Sequence, residues 1–234
     1  MSSERKIRFP SELLYVLAIV LIAFSVAMVT CADLGVSMVV APAYILSLKL
    51  SFLTFGQCEY IVQGIVFILF CFLMGRFRLR YLGSFLSCVI YGAVLDAWRK
   101  VVPLFNPDVT PPGSMPMPER IALLAVGMTL TSFAVAMFMK TYLPPQVIDF
   151  FVKGVAAHYR LNYTKFKISC DVSLLVIAFA MTLIFFGGIR GIGVGTIVMT
   201  ALNGALIGMF LKLLDRFFEF TPIWPKLEEK LRIE

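Results

Sequence analysis

The sequence predicts an all-α integral membrane protein with about six transmembrane helices and two short broken or re-entrant segments. Three observations carry that expectation: an extreme apolar composition, a series of uncharged runs of membrane-crossing length, and motifs that recur in order in the two halves. The 234 residues are 60% hydrophobic and only 15% charged, with a mean hydropathy of +0.90. Soluble domains centre on roughly 45–50% apolar and about 25% charged residues.

Uncharged apolar runs occupy Leu13–Cys31, Tyr60–Gly75, Ile121–Met139, Val172–Ile189 and Gly191–Leu211, with a shorter one at Tyr81–Leu95. Crossing about 30 Å of hydrocarbon takes roughly 17–25 helical residues. The first run is expected to remain as a span, because no small-residue cleavage site follows it before Asp33 and the chain continues as membrane. The net charge of +7 falls in short loops and at the ends of the sequence, where basic residues orient spans rather than bind nucleic acid. The five cysteines lie in or beside apolar segments without a C-x-x-C pair, so they read as small packing residues. No metal, disulfide framework or cofactor is implied.

The halves echo each other. "AFSVAM" at Ala23–Met28 returns as "SFAVAM" at Ser132–Met137, an offset of 109. "QCE" at Gln57–Glu59 aligns with "SCD" at Ser169–Asp171, and "GSFLSCVIYGAVL" at Gly83–Leu95 with "GTIVMTALNGALI" at Gly195–Ile207, both at an offset of 112. Three ordered matches predict a duplication, with a first membrane repeat over 1–100, a proline-rich linker over 101–118, a second repeat over 119–220 and a cytoplasmic tail over 221–234. The end of that tail, Trp224–Glu234, reads as a short amphipathic helix that the protein can lose.

Each repeat holds one broken segment. In the first it is Leu34–Leu50, with Pro42 inside it; in the second it is Pro144–Leu161, with Asp149, Lys153 and Gly154. A charge at mid-membrane costs about 2.5–3.5 kcal/mol on insertion scales, so a re-entrant segment facing protein or a water-filled cavity fits better than a lipid-facing span. Eight full spans distribute the basic residues nearly as well. Six plus two is preferred because it keeps Arg76, Arg78 and Arg80 cytoplasmic and leaves Lys153 out of the bilayer. Three full spans per repeat make the repeats inverted, the recurring plan of secondary transporters and some channels.

The glycines at 188, 191, 193, 195, 204 and 208 lack the Gly-Lys-Ser/Thr ending of a phosphate loop. Gly204 and Gly208 are four apart, the spacing that lets helix backbones approach. Gly191, Gly193 and Gly195 open the last span, where a tight turn and an anion or carbonyl contact are both open readings.

The stretches "GIGVGTIVMTALNGALIG" (191–208) and "ADLGVSMVVAPAYILSLKLSFLTFGQCEYIVQG" (32–64) resemble the YczE/YyaS/YitT group of bacterial integral membrane proteins. The likeness covers nearly the whole chain in pattern: an LG-S turn before a P-Y-x-L-S segment, a lone acidic residue opening a later span, and a G-x-G-T-rich final span. It implies a multi-pass protein of the bacterial cytoplasmic (inner) membrane, some of whose relatives are proposed exporters of small molecules. It brings no catalytic residues with it.

The candidate substrate or ion pathway comprises Asp33, Glu59, Tyr91, Asp149, Asp171 and Asn203, since intramembrane carboxylates are costly and the polar Tyr91 and Asn203 on the glycine faces either bond a ligand or tie helices together. Glu59 and Asp171 are equivalent in the repeats and are expected to flank a central cavity as a proton or cation relay; the alternative is a pair of helix N-terminal carboxylates favoured by the macrodipole. Asp149 and Lys153, four apart and so on one helical face, either neutralise each other or serve in gating. His158 and Arg160 read as membrane-surface residues.

The chain holds no H-E-x-x-H pattern and no nucleophile placed with the lone histidine, so an enzyme is not expected. The expected function is secondary transport of a small organic solute or anion, proton-coupled, with the lipid bilayer and a small-molecule substrate as partners and a homodimer as a further option. The rival is a binding module that needs a separate energising partner.

Overall fold

The computed structural model describes residues 7–75, 77–78 and 81–225. Arg76 and Arg80 of the expected three-arginine loop, and residues 226–234 of the expected tail helix, lie outside the described residues. A short strand β1 (Ile7–Pro10) leads into α1 (Ser11–Ala32), followed by α2 (Ala41–Lys49), α3 (Phe55–Leu73) and α4 (Leu82–Val101). After the 101–118 segment come α5 (Met117–Met139), α6 (Val147–His158), α7 (Tyr163–Phe186), α8 (Val194–Phe217) and β2 (Phe218–Thr221). The order long, short, long, long occurs twice.

The protein is an all-α integral membrane protein. Helices α1, α3, α5, α7 and α8 are each long and apolar enough to cross a membrane. Helix α4, with 20 residues, has similar reach but carries Asp96, Arg99 and Lys100 near its end. At about 1.5 Å per residue, α2 and α6 reach only about 14 and 18 Å, half of a bilayer core. That shortness removes the eight-span alternative.

Local chemistry sets the helix ends. Thr54 and Gln57 form a capping box at the start of α3, and Asp96 of α4 reinforces it by accepting from the Gly56 N–H at 2.9 Å and the Thr54 hydroxyl at 2.5 Å. Asn162 caps α7, whose other end closes on Gly187 in the left-handed region at φ 65°. Pro42 does not interrupt its segment as expected. It sits in the first turn of α2, where a missing N–H costs nothing, and the break lies upstream at 33–40.

Helices α1 and α5 pack antiparallel through the centre of the molecule, with Thr131 donating to Ser25 at 2.9 Å. Each has a parallel neighbour: α4 beside α1 and α8 beside α5. The short helices cross over, α2 onto α7 and α6 onto α3. Small residues make the central contact close: Ala18, Ala23 and Ala27 are fully buried, and a Cβ on Gly127 would stand 2.6 Å from Val29. Large apolar side chains elsewhere are exposed, among them Ile68, Phe72, Ile184 and Ile197, as a lipid-facing surface requires.

Polar contacts gather at the two ends. Asp33 and Arg120 pair at 3.3 Å and Lys49 reaches the Phe185 carbonyl at 3.2 Å at one end; Lys140 and Asp215 pair at 2.5 Å at the other. There β1 and β2 pair in parallel, a strand contact absent from the sequence expectation. Glu12 accepts from Tyr142 at 2.5 Å and from the Ile223 N–H at 2.9 Å. The segment after α8 is therefore anchored through residue 224, and the expected boundary at 220 falls within β2. The 101–118 segment is also no free linker: Phe105 is buried against Phe24, and the Cys31 thiol donates to the Leu104 carbonyl at 2.8 Å.

The glycine turn before α8 lies against the turn after α1. The Gly195 N–H donates to the Leu34 carbonyl at 2.7 Å, and the Val36 N–H to the Gly191 carbonyl at 3.2 Å. Gly35 (φ 103°) and Gly191 (φ 74°) adopt backbone that L-residues resist. A Cβ on Gly193 would stand 2.5 Å from the Leu34 carbonyl oxygen. Gly193→Ala is expected to lower stability by about 1–3 kcal/mol through overpacking, read as a fall in the thermal midpoint in detergent. Gly208→Ala, with nothing within 4 Å of the added methyl, is expected to leave it unchanged.

Candidate functional site

A cavity of about 550 Å³ lies between the two broken segments. One tip is the Val36–Val40 turn ahead of α2; the other is Pro145 and Gln146 ahead of α6. Both exist because the segments enter without helical structure and become helical only at their tips, so the turns face one another across protein rather than lipid. Helices α1, α5 and α8 supply an apolar wall that includes Val26, Val29, Val135 and Phe138, while α6 and the start of α7 supply Asp149, Lys153, Lys167 and Asp171. Helices α7 and α8 pack on different partners, α2 and α6 for one and α5 for the other. The cavity occupies the gap between them.

The charged wall is built around Lys167. Its ammonium lies 3.3 Å from Asp149 and 3.6 Å from Asp171, so one cation serves two carboxylates. Of the two readings of Asp149 and Lys153, their mutual pairing does not occur. Asp149 turns across to α7 instead, and Lys153 has no ion pair or hydrogen bond among the described residues. Lys167 was absent from the expected pathway, although its i,i+4 spacing to Asp171 was readable as a helical pair. Neither that spacing nor any other sequence signal reveals that Asp149 joins them from another helix.

Of the six expected pathway residues, Tyr91, Asp149, Asp171 and Asn203 line the cavity. Asn203 also ties α8 to α5 by accepting from the Ser132 hydroxyl at 2.5 Å. Glu59 and Asp33 do not line it. Glu59 is 2% exposed and accepts from Gln63 at 3.0 Å. Gln63 also donates to Gln146 at 3.2 Å and accepts from the Val147 N–H at 3.1 Å. The start of α6 thus covers this face of α3, and Glu59 lies behind the cavity wall. The expectation that Glu59 and Asp171 flank the cavity as partners is corrected accordingly. Asp33 sits past the end of α1, held by Arg120.

The tight turn and carbonyl contact expected at Gly191, Gly193 and Gly195 are present, whereas the helix packing expected of Gly204 and Gly208 is not. Gly204 and Gly208 have no atom within 4 Å of a built Cβ, and Gly204 lines the cavity, so neither packs helices together within the chain. Close approach belongs to Gly193 and Gly195, next to Leu34, and to Gly191, next to Tyr44.

A family model described as a family of unknown function, DUF6198, matches residues 9–212. The chain belongs to this family. No curated protein and no solved structure matches the chain. The DUF6198 match takes in both broken segments and every residue that lines the cavity. Among the described residues of this DUF6198 member, no cluster of three or more His, Cys, Asp or Glu side chains could hold a metal ion.

Removing Lys167 leaves two carboxylates facing one another without their shared cation, whereas removing either aspartate leaves a complete pair. Lys167→Met is therefore expected to lower the thermal midpoint more than Asp149→Asn or Asp171→Asn. The reverse order would show that Lys167 spends its time in water.

Proposed function

We propose that this DUF6198 protein is a secondary transporter of a small organic solute, with the cavity as its binding site. The observation that carries this reading is a difference between two matching helix pairs. Helices α3 and α4 are closed on each other: a Cβ on Gly56 would meet the Gly92 carbonyl oxygen at 2.2 Å. At the 112-residue offset, Gly92 corresponds to Gly204 and Gly56 to Ile168. There α7 and α8 stand apart, Gly204 faces open space and Ile168 lines the cavity. One pair shut while its counterpart is open is the asymmetry that alternating access needs, each pair closing in turn around a central site.

The antiparallel packing of α1 and α5, with the short helices crossing between α1–α4 and α5–α8, supports an inverted internal repeat. We assign the protein to the bacterial cytoplasmic membrane and to the neighbourhood of the YczE/YyaS/YitT group, with the Lys140–Asp215 end cytoplasmic. Coupling to a proton is assigned to Asp149 and Asp171, the carboxylates at the cavity, rather than to Glu59 behind its wall.

Closure of α7 on α8 gives the test. In an Ile168→Cys/Gly204→Cys variant, a disulfide is expected to form under mild oxidation and to stop solute counterflow in proteoliposomes, with recovery on reduction. Gly204→Leu is expected to keep the thermal midpoint, since its side chain enters open space, yet to cut counterflow by roughly tenfold or more by blocking closure. Full counterflow in Gly204→Leu would refute the alternating-access reading. Ligand binding without counterflow in the unmodified protein would favour a binding module with an external energiser.

A further inference from the structure

We propose that the cavity takes a zwitterion: a small apolar compound with one acidic and one cationic group, such as an apolar amino acid or short peptide. This names the ligand class of the site described above. It rests on the transporter reading for the ligand's movement and on the cavity alone for its binding.

The charges lining the cavity are Asp149 and Lys153 from α6 with Lys167 and Asp171 from α7. Their formal sum is zero, yet their pairing is uneven. Lys167 is shared, at 3.3 Å from Asp149 and 3.6 Å from Asp171, so that cluster keeps one negative charge in excess. Asp171 meets Lys167 only through Oδ1, at 3.6 Å and without a hydrogen bond. Lys153 keeps a positive charge that nothing in the described residues balances, because the aspartate one turn before it is turned toward Lys167. A carboxylate cluster with one negative charge in excess and a lysine without a partner among the described residues thus share one cavity, whose apolar wall strengthens their pull on a ligand.

A ligand that is only an anion answers Lys153 and leaves the aspartate cluster unbalanced. A ligand that is only a cation does the reverse. A zwitterion balances both together, its acidic group on Lys153 and its cationic group on the Asp149–Asp171 cluster. The facing wall of Val26, Val29, Val135 and Phe138 asks for an apolar side chain. A volume of about 550 Å³ lies within the roughly 300–1,000 Å³ of pockets that enclose organic ligands, with room for a dipeptide.

Purified full-length protein is titrated with leucine, phenylalanine and leucyl-leucine as zwitterions, N-acetyl-leucine as the anion-only analogue and leucinamide as the cation-only analogue. Binding is read by calorimetry and by the rise in thermal midpoint. At least one zwitterion is expected to bind roughly tenfold or more tightly than either single-ended analogue, the loss that follows from removing a charge-assisted hydrogen bond. Lys153→Met is expected to lose that preference and Lys153→Arg to keep it. Asp171→Asn is expected to weaken the zwitterion while leaving N-acetyl-leucine unchanged.

Equal binding of a single-ended analogue, or binding by no member of the panel, overturns the proposal. The comparison of analogues in the unmodified protein decides it even if Lys153→Met fails to fold. Zwitterion binding without counterflow would overturn transport and keep the ligand class; counterflow of a solute that is not a zwitterion would do the opposite.

Discussion

Everything around the cavity depends on two turns whose backbones touch. The chain leaves α1 through Leu34 and Gly35 and enters α8 through Gly191, Gly193 and Gly195, and these stretches exchange N–H and carbonyl groups directly. Buried backbone left without a partner costs several kcal/mol per group, so each of these non-helical turns is answered by the other. The absence of Cβ atoms on both sides allows the distance. That contact fixes where the Val36–Val40 turn points, and through it one end of the cavity.

The other end rests on a different solution. The chain ahead of α6 is held by side-chain amides, with Gln63 accepting from the Val147 N–H and donating to both Glu59 and Gln146. Glu59 is thereby drawn into support of the α6 start. Its burial places it beside the site without giving it access, which separates it from Asp171 although the two occupy matching positions in the sequence.

The same order of long and short helices occurs twice, but the two final helix pairs are packed differently. Helices α3 and α4 meet through Gly56 and Gly92, while α7 and α8 are held apart on separate neighbours. Packed helix pairs tend to occupy one of two arrangements rather than a continuum, because interdigitated side chains deform poorly. The charged cluster lies on α6 and α7, beside the pair that stands apart. Tyr91 and Asn203, which match at the 112-residue offset, nevertheless both reach the cavity from α4 and α8.

Much of this was legible in the chain itself. Apolar runs, their lengths and the proline, glycine and charge that interrupt them determined six long helices and two short ones, because hydrocarbon admits few other backbone arrangements. Four of the six residues singled out as polar groups too costly to place in lipid line the cavity. What the tertiary structure decided is who meets whom. Asp149 sits one turn from Lys153 yet binds Lys167 from another helix; Gly204 has the spacing of a packing glycine yet faces open space; Glu59 matches Asp171 yet lies behind the wall. Spacing along a chain determines which face a residue occupies, but the partner on that face is chosen by how the helices cross. That crossing was settled here by the α1–α5 contact and the paired turns.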